Sequence, residues 1–264
     1  MNKPQFFSKK EELPAGVEII DAFLRSLKEL FFTRNPRFKK GMPGADEALA
    51  KFMDEDAKTI QGVYVFYPWL NKAIYLPEEN IYFELRTARN KNIINKEEQA
   101  SYRNFKIGIA GMSVGSNVAS TLALTGGPKN MRLADFDEIE ATNLNRIRAG
   151  LGSIGQNKAI FFAQSIYELD PWAELEVYDN GLTKENLEDF IKGLNVFIDE
   201  MDSIDLKVRS RFVCKKHKIP VVMATDNGDN VILDVERYDE NTDLAVFNGR
   251  VEITEEELAN LKTF

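Results

Sequence analysis

The stretch GIAGMSVGSNVASTLALTGG, residues 108–127, decides the fold class of this chain. It begins inside an apolar run of strand length, KIGIAG, and continues into small and apolar residues over a helical length. A strand that turns through glycines directly into a helix is typical of a nucleotide-binding βαβ unit. Because Met112 and Ser113 stand where a dinucleotide-binding turn has its middle glycine, the turn alone does not separate NAD from ATP.

We expect Gly111 to end the first strand and Gly115 to begin the helix, with Ser113 in the turn between them. The first amides of that helix would face a phosphate or a ribose. Asp135 and Asp137 follow the next strand, where such folds place a carboxylate against the ribose hydroxyls. A tight turn also needs glycine for steric reasons alone, so neither nucleotide binding nor the identity of the nucleotide is decided at this point.

Strands and helices alternate after residue 104. Strand-length apolar runs lie at 106–111, 131–137, 175–179, 195–202 and 220–226, and helical stretches lie at 157–170 and 203–217. This alternation predicts an α/β fold, a Rossmann-like and largely parallel sheet with helices on both faces. We predict a further strand at VILDVERY (231–238) and a last helix at EITEEELANL (252–261).

The sequence before residue 104 does not show this alternation of strands and helices. Apolar spacing predicts a helix over 17–32, and GVYVFYPWL with KAIYLP (62–77) is typical of two paired strands. NKEEQASYR (95–103) is predicted to be a short helix with Asn95 as its cap. A smaller α+β region therefore precedes the large sheet.

Composition restricts the classes of protein that remain. A chain of 264 residues with 44% apolar residues can bury a core, and its net charge of −8 disfavours a protein that coats nucleic acid or anionic membrane. The single Cys214 excludes an internal disulfide framework and a cysteine-only zinc cage. The first residues contain no apolar leader and no apolar run approaches the roughly 20 residues of a membrane span, so we expect a cytoplasmic protein.

Cations after the second strand favour a triphosphate. Arg146 and Lys158 occur in IEATNLNRIRAGLGSIGQNKA (139–159), and a nicotinamide enzyme has little use for them. Cleavage of a triphosphate needs positive charge over its phosphates. The alternative is that both are solvated surface charges.

Four ordered motifs now carry a family resemblance. GMSVGS, LADFDEIEATNLNR, IGQNKA and DEMDSIDLKVR together resemble the ubiquitin-activating-enzyme-like superfamily of the ThiF type, over about residues 86–235. The resemblance implies an N-terminal α+β region at 1–85 and a ThiF-like nucleotide-binding domain at 86–264. It also implies an ATP-dependent adenylyltransferase, in which a carboxylate attacks the α-phosphate of MgATP to give an acyl adenylate and pyrophosphate. The carboxylate would belong to a ubiquitin-like carrier protein, a peptide or a small acid.

The resemblance also assigns roles by position. It implies that Asp135 holds the ribose, that Asp202 organises Mg²⁺, and that Asn143, Arg146 and Lys158 bind the phosphates. In such enzymes an arginine ahead of the first strand crosses a homodimer interface into the partner's site. Arg89 matches that position best, and Arg86 is the second choice.

The reaction suits a chain with one histidine and one cysteine. A carboxylate is already ionised at neutral pH, so adenylation needs neither a general base nor a protein nucleophile. We therefore interpret Cys214 as a core thiol and His217 as a helix-end residue. Two other functions remain as alternatives: a non-catalytic relative that binds a nucleotide or a partner, and an NAD(P)-dependent oxidoreductase, for which no general acid is evident.

Overall fold

The structure, a computed structural model, describes residues 2–251, 253 and 257. The chain forms two compact units, Met1–Gln99 and Ala100–Phe264. The division falls inside one helix, 14 residues after the boundary that the resemblance implies at residue 85. The predicted last helix at 252–261 lies almost entirely outside the described residues.

The first unit contains a four-stranded sheet and three α-helices. Its strands are β1 (Gln5–Phe7), β2 (Glu18–Asp21), β3 (Gly62–Tyr67) and β4 (Lys72–Pro77), in the order β1-β3-β4-β2. Its helices are α1 (Phe23–Arg34), α2 (Ala45–Asp54) and α3 (Glu79–Arg86). Strands β3 and β4 pair antiparallel, which confirms the hairpin predicted over 62–77. Leu30, Phe31 and Phe52 are part of the apolar core between the helices.

The helix predicted over 17–32 is wrong in its first turn. Residues Glu18–Asp21 form β2, which pairs parallel with β4, and the helix begins only at Phe23. The β-branched residues Ile19 and Ile20 favour extended backbone, and pairing with β4 stabilises that conformation. The Asp21 carboxylate then accepts a hydrogen bond from the Phe23 amide at 3.0 Å and marks where the helix starts.

The second unit contains the predicted Rossmann-like sheet. Its strands are β5 (Lys106–Ala110), β6 (Asn130–Ala134), β7 (Glu174–Tyr178), β8 (Val196–Asp199), β9 (Val221–Asn227) and β10 (Asn230–Glu236). The strand order is β10-β9-β8-β5-β6-β7, and only the β9–β10 pair is antiparallel. All six correspond to strands that the sequence predicts, which confirms the fold class.

Helices cover both faces of this sheet. They are α5 (Val114–Leu124), α6 (Lys158–Leu169), α7 (Leu187–Ile191) and α8 (Ile204–His217), whereas α4 (Lys96–Asn104) precedes β5 along the chain. Helix α5 packs against α6, and α7 packs against α8. Because crossovers between parallel strands are right-handed, the two pairs lie on opposite faces. None of the helices in the described part of the chain is both long enough and apolar enough to cross a membrane.

Local details of the helices agree with the sequence. Asn95 and Glu98 each accept a hydrogen bond from the other's amide at 2.8 Å, which confirms the predicted cap of α4. Cys214 is fully buried on α8, and burial raises the pKa of its thiol, as expected for a core residue. His217 ends α8 and lies 2.8 Å from a Glu188 oxygen, so it is a helix-end residue.

The strand order reverses at β5, and this reversal locates the site. From β5 the chain moves outward through β6 and β7, then returns to the other side of β5 with β8 and β9. Connections leave β5 and β8 in opposite directions, so a crevice opens at their carboxyl ends. Gly111 lies there with φ of +90°, and a Cβ on it would clash with the carbonyl oxygen of Glu200.

We predict that Gly111→Ala destabilises the protein far more than Gly155→Ala does. Both glycines have positive φ, at +90° and +85°, but a Cβ at Gly155 meets no atom within 4 Å. The control should therefore lose only the backbone preference, about 1 kcal/mol, whereas Gly111→Ala adds a backbone clash and should lose roughly 3 kcal/mol or more. Urea unfolding of the two variants measures the difference. Equal losses would show that the turn does not depend on the close approach.

Candidate functional site

A cavity of about 450 Å³ lies at the carboxyl ends of four neighbouring strands of the second unit. Ala110 and Ala134 line it where β5 and β6 end, Ala224 lines it from within β9, and the loop after β8 completes it. Five of the residues predicted for the site line this cavity: Gly111, Ser113, Asp135, Asp137 and Asp202. The structure therefore brings these five predicted residues together at one edge of the sheet.

The glycine turn is held in place by Asp135. One oxygen of its carboxylate accepts a hydrogen bond from the Met112 amide at 2.6 Å, and the other accepts from the Asp137 amide at 2.8 Å. Burial raises the pKa of Asp135, and these two amides oppose that shift. Met112 itself is fully buried, so it contributes an amide to the turn and a side chain to the core. The replacement of a glycine by Met112 therefore leaves the turn intact.

The start of α5 presents backbone amides at the cavity. Ser113 precedes the helix and makes no side-chain cap, so its hydroxyl does not occupy the first amides. Gly115 is buried behind the cavity, where a Cβ would clash with Ile109. Free amides at a helix N-terminus attract anions, which suits a phosphate group.

Lys158 lies behind the cavity wall and not in it. Its side chain is only 6% exposed, and its ammonium lies 2.8 Å from an oxygen of Asp137, a residue that lines the cavity. Asn157 caps α6 and also donates to the carbonyl oxygens of Asp135 and Asp179, both at 3.0 Å.

Asn143 and Arg146 do not line the cavity either. Asn143 is buried, and its side-chain oxygen accepts from the Glu140 amide at 3.0 Å. Arg146 is exposed, and its guanidinium donates to the Thr142 carbonyl and the Asn145 side chain, both at 3.0 Å. These partners lie within the same short loop, so both residues stabilise the loop in this structure.

The side of the cavity beyond β8 contains residues that the sequence did not single out. These are Glu200, Lys207, Thr225 and Asp226, which join the predicted Asp202. Lys207 lies one helical turn after Ser203, the cap of α8, and this spacing is the signal that could have identified it. Thr225 and Asp226 line the cavity because β9 extends as far as Asn227, and no local sequence pattern predicts where that strand ends.

A buried chain of charges leads from the cavity into the core. Asp199, at the end of β8, accepts from the Lys207 ammonium at 3.4 Å and forms a closer ion pair with Arg211. The Arg211 Nε donates to Glu236 at 2.8 Å, and the other Glu236 oxygen accepts from the Tyr238 hydroxyl. Asp199, Arg211 and Glu236 are almost completely buried. Positive and negative groups alternate along the chain, which keeps the buried charges paired.

Arg89 belongs to the first unit, where it lies exposed in a short 3-10 helix, Ala88–Asn92. Arg86 ends α3 and lies over the ring of Tyr82, with 5.9 Å to the ring centroid. Among the described residues, no group of three or more His, Cys, Asp or Glu side chains is arranged to hold a metal ion. The cavity does present an exposed carboxylate, Asp202, with Asp226 also on its wall.

Comparison with known proteins finds a matching family model and several similar proteins. A family model described as the ThiF family matches residues 86–229, which include the glycine turn and the loop after β8. An uncharacterised protein of Mycobacterium tuberculosis is 35% identical over 249 residues, which cover 94% of this chain and 32% of that protein. The tRNA threonylcarbamoyladenosine dehydratase of Bacillus subtilis is 32% identical over 138 residues, which cover 51% of this chain and 54% of that enzyme.

A solved structure shares the fold. The crystal structure of the Escherichia coli tRNA N6-threonylcarbamoyladenosine dehydratase in complex with ATP superimposes with a TM-score of 0.52 at 28% identity. The match covers 56% of this chain and 62% of that one. The chain thus spans less than two thirds of the length of each of these relatives.

We predict that Glu200→Gln stabilises the protein at high pH. Burial raises the pKa of Glu200 from 4.5 to about 7, with Asp199 and Asp226 adding to the rise, while the Ala224 amide and Lys207 oppose it. A carboxyl group whose pKa is raised in the folded state progressively destabilises the folded state as the pH rises from about 4.5 to 7. Glutamine keeps an acceptor for the Ala224 amide, which donates to Glu200 at 3.0 Å.

The expected gain in the free energy of unfolding is about 1–2 kcal/mol at pH 8, reduced for partial exposure, and close to zero at pH 4.5. Urea unfolding at both pH values measures it, with the exposed Glu138→Gln as the control. A gain that is the same at both pH values would contradict a raised pKa.

Proposed function

The chain belongs to the ThiF family, and on that premise we propose that it is an ATP-dependent adenylyltransferase that activates a carboxylate as an acyl adenylate. One observation carries the proposal: the glycine turn, the first amides of α5 and the Asp135 carboxylate all meet in one cavity at the strand-order reversal. That is where open α/β sheets bind nucleotides. The ATP complex of a relative with the same fold supports ATP as the nucleotide.

The chemistry makes few demands on the chain. A carboxylate oxygen attacks the α-phosphorus of ATP, the bond from that phosphorus to the bridging oxygen breaks, and pyrophosphate leaves with the electron pair. The attacking oxygen carries no proton, so no general base is required. Positioning of the two substrates and neutralisation of negative charge are the contributions that remain for the protein.

The cavity fits a magnesium ion bound together with the nucleotide. Five of its lining residues carry carboxylates: Asp135, Asp137, Glu200, Asp202 and Asp226. A polyphosphate entering such a cavity needs cations, and Mg²⁺ is bound by one or two carboxylates together with phosphate oxygens. We assign Asp202 to this role because it is exposed on the cavity wall and pairs with no cation among the described ion pairs. The ion would supply charge neutralisation at the phosphates.

Arg146 and Lys158 are proposed as phosphate-binding cations that change partners when the nucleotide binds, and Asn143 as a polar contact beside them. Arg146 is exposed, and its guanidinium donates to two groups of its own loop, so a rotation of its side chain would release the guanidinium. Lys158 already lies against Asp137 at the cavity wall. Displacement of Asp137 by Mg²⁺ or phosphate would free the ammonium.

The activated carboxylate is proposed to be the C-terminus of a carrier protein or peptide, or a small acid. The dehydratases that match this chain are named for a threonylcarbamoyl group on tRNA, and a threonyl group carries a free carboxylate. A tRNA-linked carboxylate is therefore the second candidate. The net charge of −8 favours the first class, because a tRNA-binding surface is usually basic.

We predict that MgATP raises the melting temperature and that NADH does not, because a ligand stabilises the state that binds it. ATP–pyrophosphate exchange, screened with C-terminal glycine peptides, small acids and tRNA, then tests turnover. Exchange that depends on one class identifies the substrate. A shift with MgATP but no exchange with any class would indicate a non-catalytic relative, and a shift with NADH alone would contradict the assignment.

We also propose a homodimer in which Arg89 of each chain acts in the partner's site. Two-fold dimers are the commonest symmetric assembly, and Arg89 is exposed in the unit that precedes the site. A guanidinium supplied in this way would neutralise charge as pyrophosphate leaves.

We predict that inactive Arg89→Ala and Lys158→Ala chains regain activity when mixed. Each mixed dimer has one site with both cations intact, so random exchange should restore about one quarter of the wild-type rate. Arg86→Ala serves as the control for the choice of arginine. If the mixture stays inactive after subunit exchange has been verified, Arg89 does not act across the interface.

A further inference from the structure

We infer that Lys207 binds the carboxylate of the acyl substrate, which makes the side of the cavity between the β8 loop and β9 the acyl subsite. This inference rests on the proposed adenylyltransferase function. Lys207 lies within the DEMDSIDLKVR motif, but the resemblance assigned it no role, and the role proposed here follows from its position and its surroundings.

The cavity has two chemically different sides. One side lies at the carboxyl ends of β5 and β6. It is formed by the glycine turn, the first amides of α5 and Asp135. Lys207 lines the cavity from α8, and its ammonium lies 3.4 Å from the sulfur of Met223 on β9, which is separated from β5 by β8. Because the first side has the features that bind a nucleotide, the second side is left for the group that attacks it.

Charge restricts where an anionic substrate can lie. Among the described residues that line the cavity, five carry carboxylates and Lys207 alone carries a positive charge. A carboxylate at any position away from Lys207 would be repelled by those acids in a partly desolvated space. The lowest-energy position for a carboxylate is therefore beside the Lys207 ammonium.

The ammonium of Lys207 has hydrogen-bonding capacity to spare. It can donate three hydrogen bonds, and its partners are an Asp199 oxygen and the Met223 sulfur, both at 3.4 Å. The first distance is long for an ion pair, and a thioether is a weak acceptor. The side chain keeps 20% exposure on the cavity side of α8. A substrate oxygen would complete its coordination.

The buried charges behind Lys207 hold its ammonium in place at one end of an alternating series. Asp199 is shared, because its other oxygen pairs with Arg211, which in turn pairs with Glu236. The four groups sum to zero, and Lys207 is the end of the series that reaches the cavity. Asp199 is thus a positioning residue for Lys207, and the positive end of the series faces the substrate.

The test uses Lys207→Met, Lys207→Arg and, as a matched control, Lys216→Met, which removes an exposed lysine near the other end of α8. The probes are glycylglycine, for a peptide C-terminus, and acetate, for a small acid. ATP–pyrophosphate exchange gives the KM for each carboxylate. Saturation-transfer NMR with α,β-methylene-ATP present measures carboxylate binding without turnover, and thermal shifts give the ATP affinity.

Lys207→Met should raise the KM and weaken binding of the accepted carboxylate by about 10- to 100-fold, the usual effect of losing a charged hydrogen bond. ATP affinity should change less than about twofold, since the nucleotide side is untouched. Lys207→Arg keeps the charge and should recover part of the loss, which separates a lost contact from a misfolded variant. The preferred probe shows whether a peptide terminus or a small acid is the source.

Two results would overturn the inference while leaving the proposed function standing. One is a Lys207→Met variant that matches Lys216→Met in carboxylate KM. The other is a loss of ATP affinity with an unchanged carboxylate KM, which would make Lys207 a phosphate-binding residue. A wild-type protein that binds MgATP but supports exchange with neither probe nor tRNA would contradict the proposed function itself.

Discussion

The close approach of Gly111 to the backbone of Glu200 is the contact on which the site depends. It brings the end of β5 against the end of β8, at the point where the strand order reverses. A side chain at Gly111 would separate these strand ends, and φ of +90° excludes most residues independently. Asp135 then fixes the other side of the turn through two backbone amides. The cavity is the space that these two constraints leave between the strands.

Charge distribution gives this cavity its chemical character. Carboxylates dominate its wall, whereas the cations expected at the phosphates, Arg146 and Lys158, are held by partners within the protein. Such a cavity is poorly matched to a bare polyanion and well matched to one that carries a divalent cation. The raised pKa of Glu200 has the same origin, because burial and neighbouring acids disfavour its ionised form. Metal, nucleotide and carboxylate are therefore expected to bind interdependently.

Local sequence rules predicted most of the fold. Alternating apolar runs predicted all six strands of the large sheet and the helices α6 and α8, because buried parallel strands are continuously apolar. The error at 17–32 has a physical cause. Ile19 and Ile20 fit a helical spacing, but in the structure their backbone pairs with β4 as a parallel strand. Helix α2 was not predicted. Its apolar residues pack into the core around Phe31 and Phe52, and that packing is a tertiary feature.

The sequence by itself determined the fold class, the residues at the ends of the strands, and the edge of the sheet at which we place the candidate site. Strand ends are local features, and parallel strands bring them together whatever the side chains do. Only the tertiary structure decided which side chains face the cavity. Asn143 and Arg146 bind within their own loop, Lys158 lies behind Asp137, and Lys207 enters the cavity from a helix that follows a different strand. Lys158 and Lys207 are each held by a carboxylate from another part of the fold, Asp137 and Asp199, and no local pattern encodes those contacts.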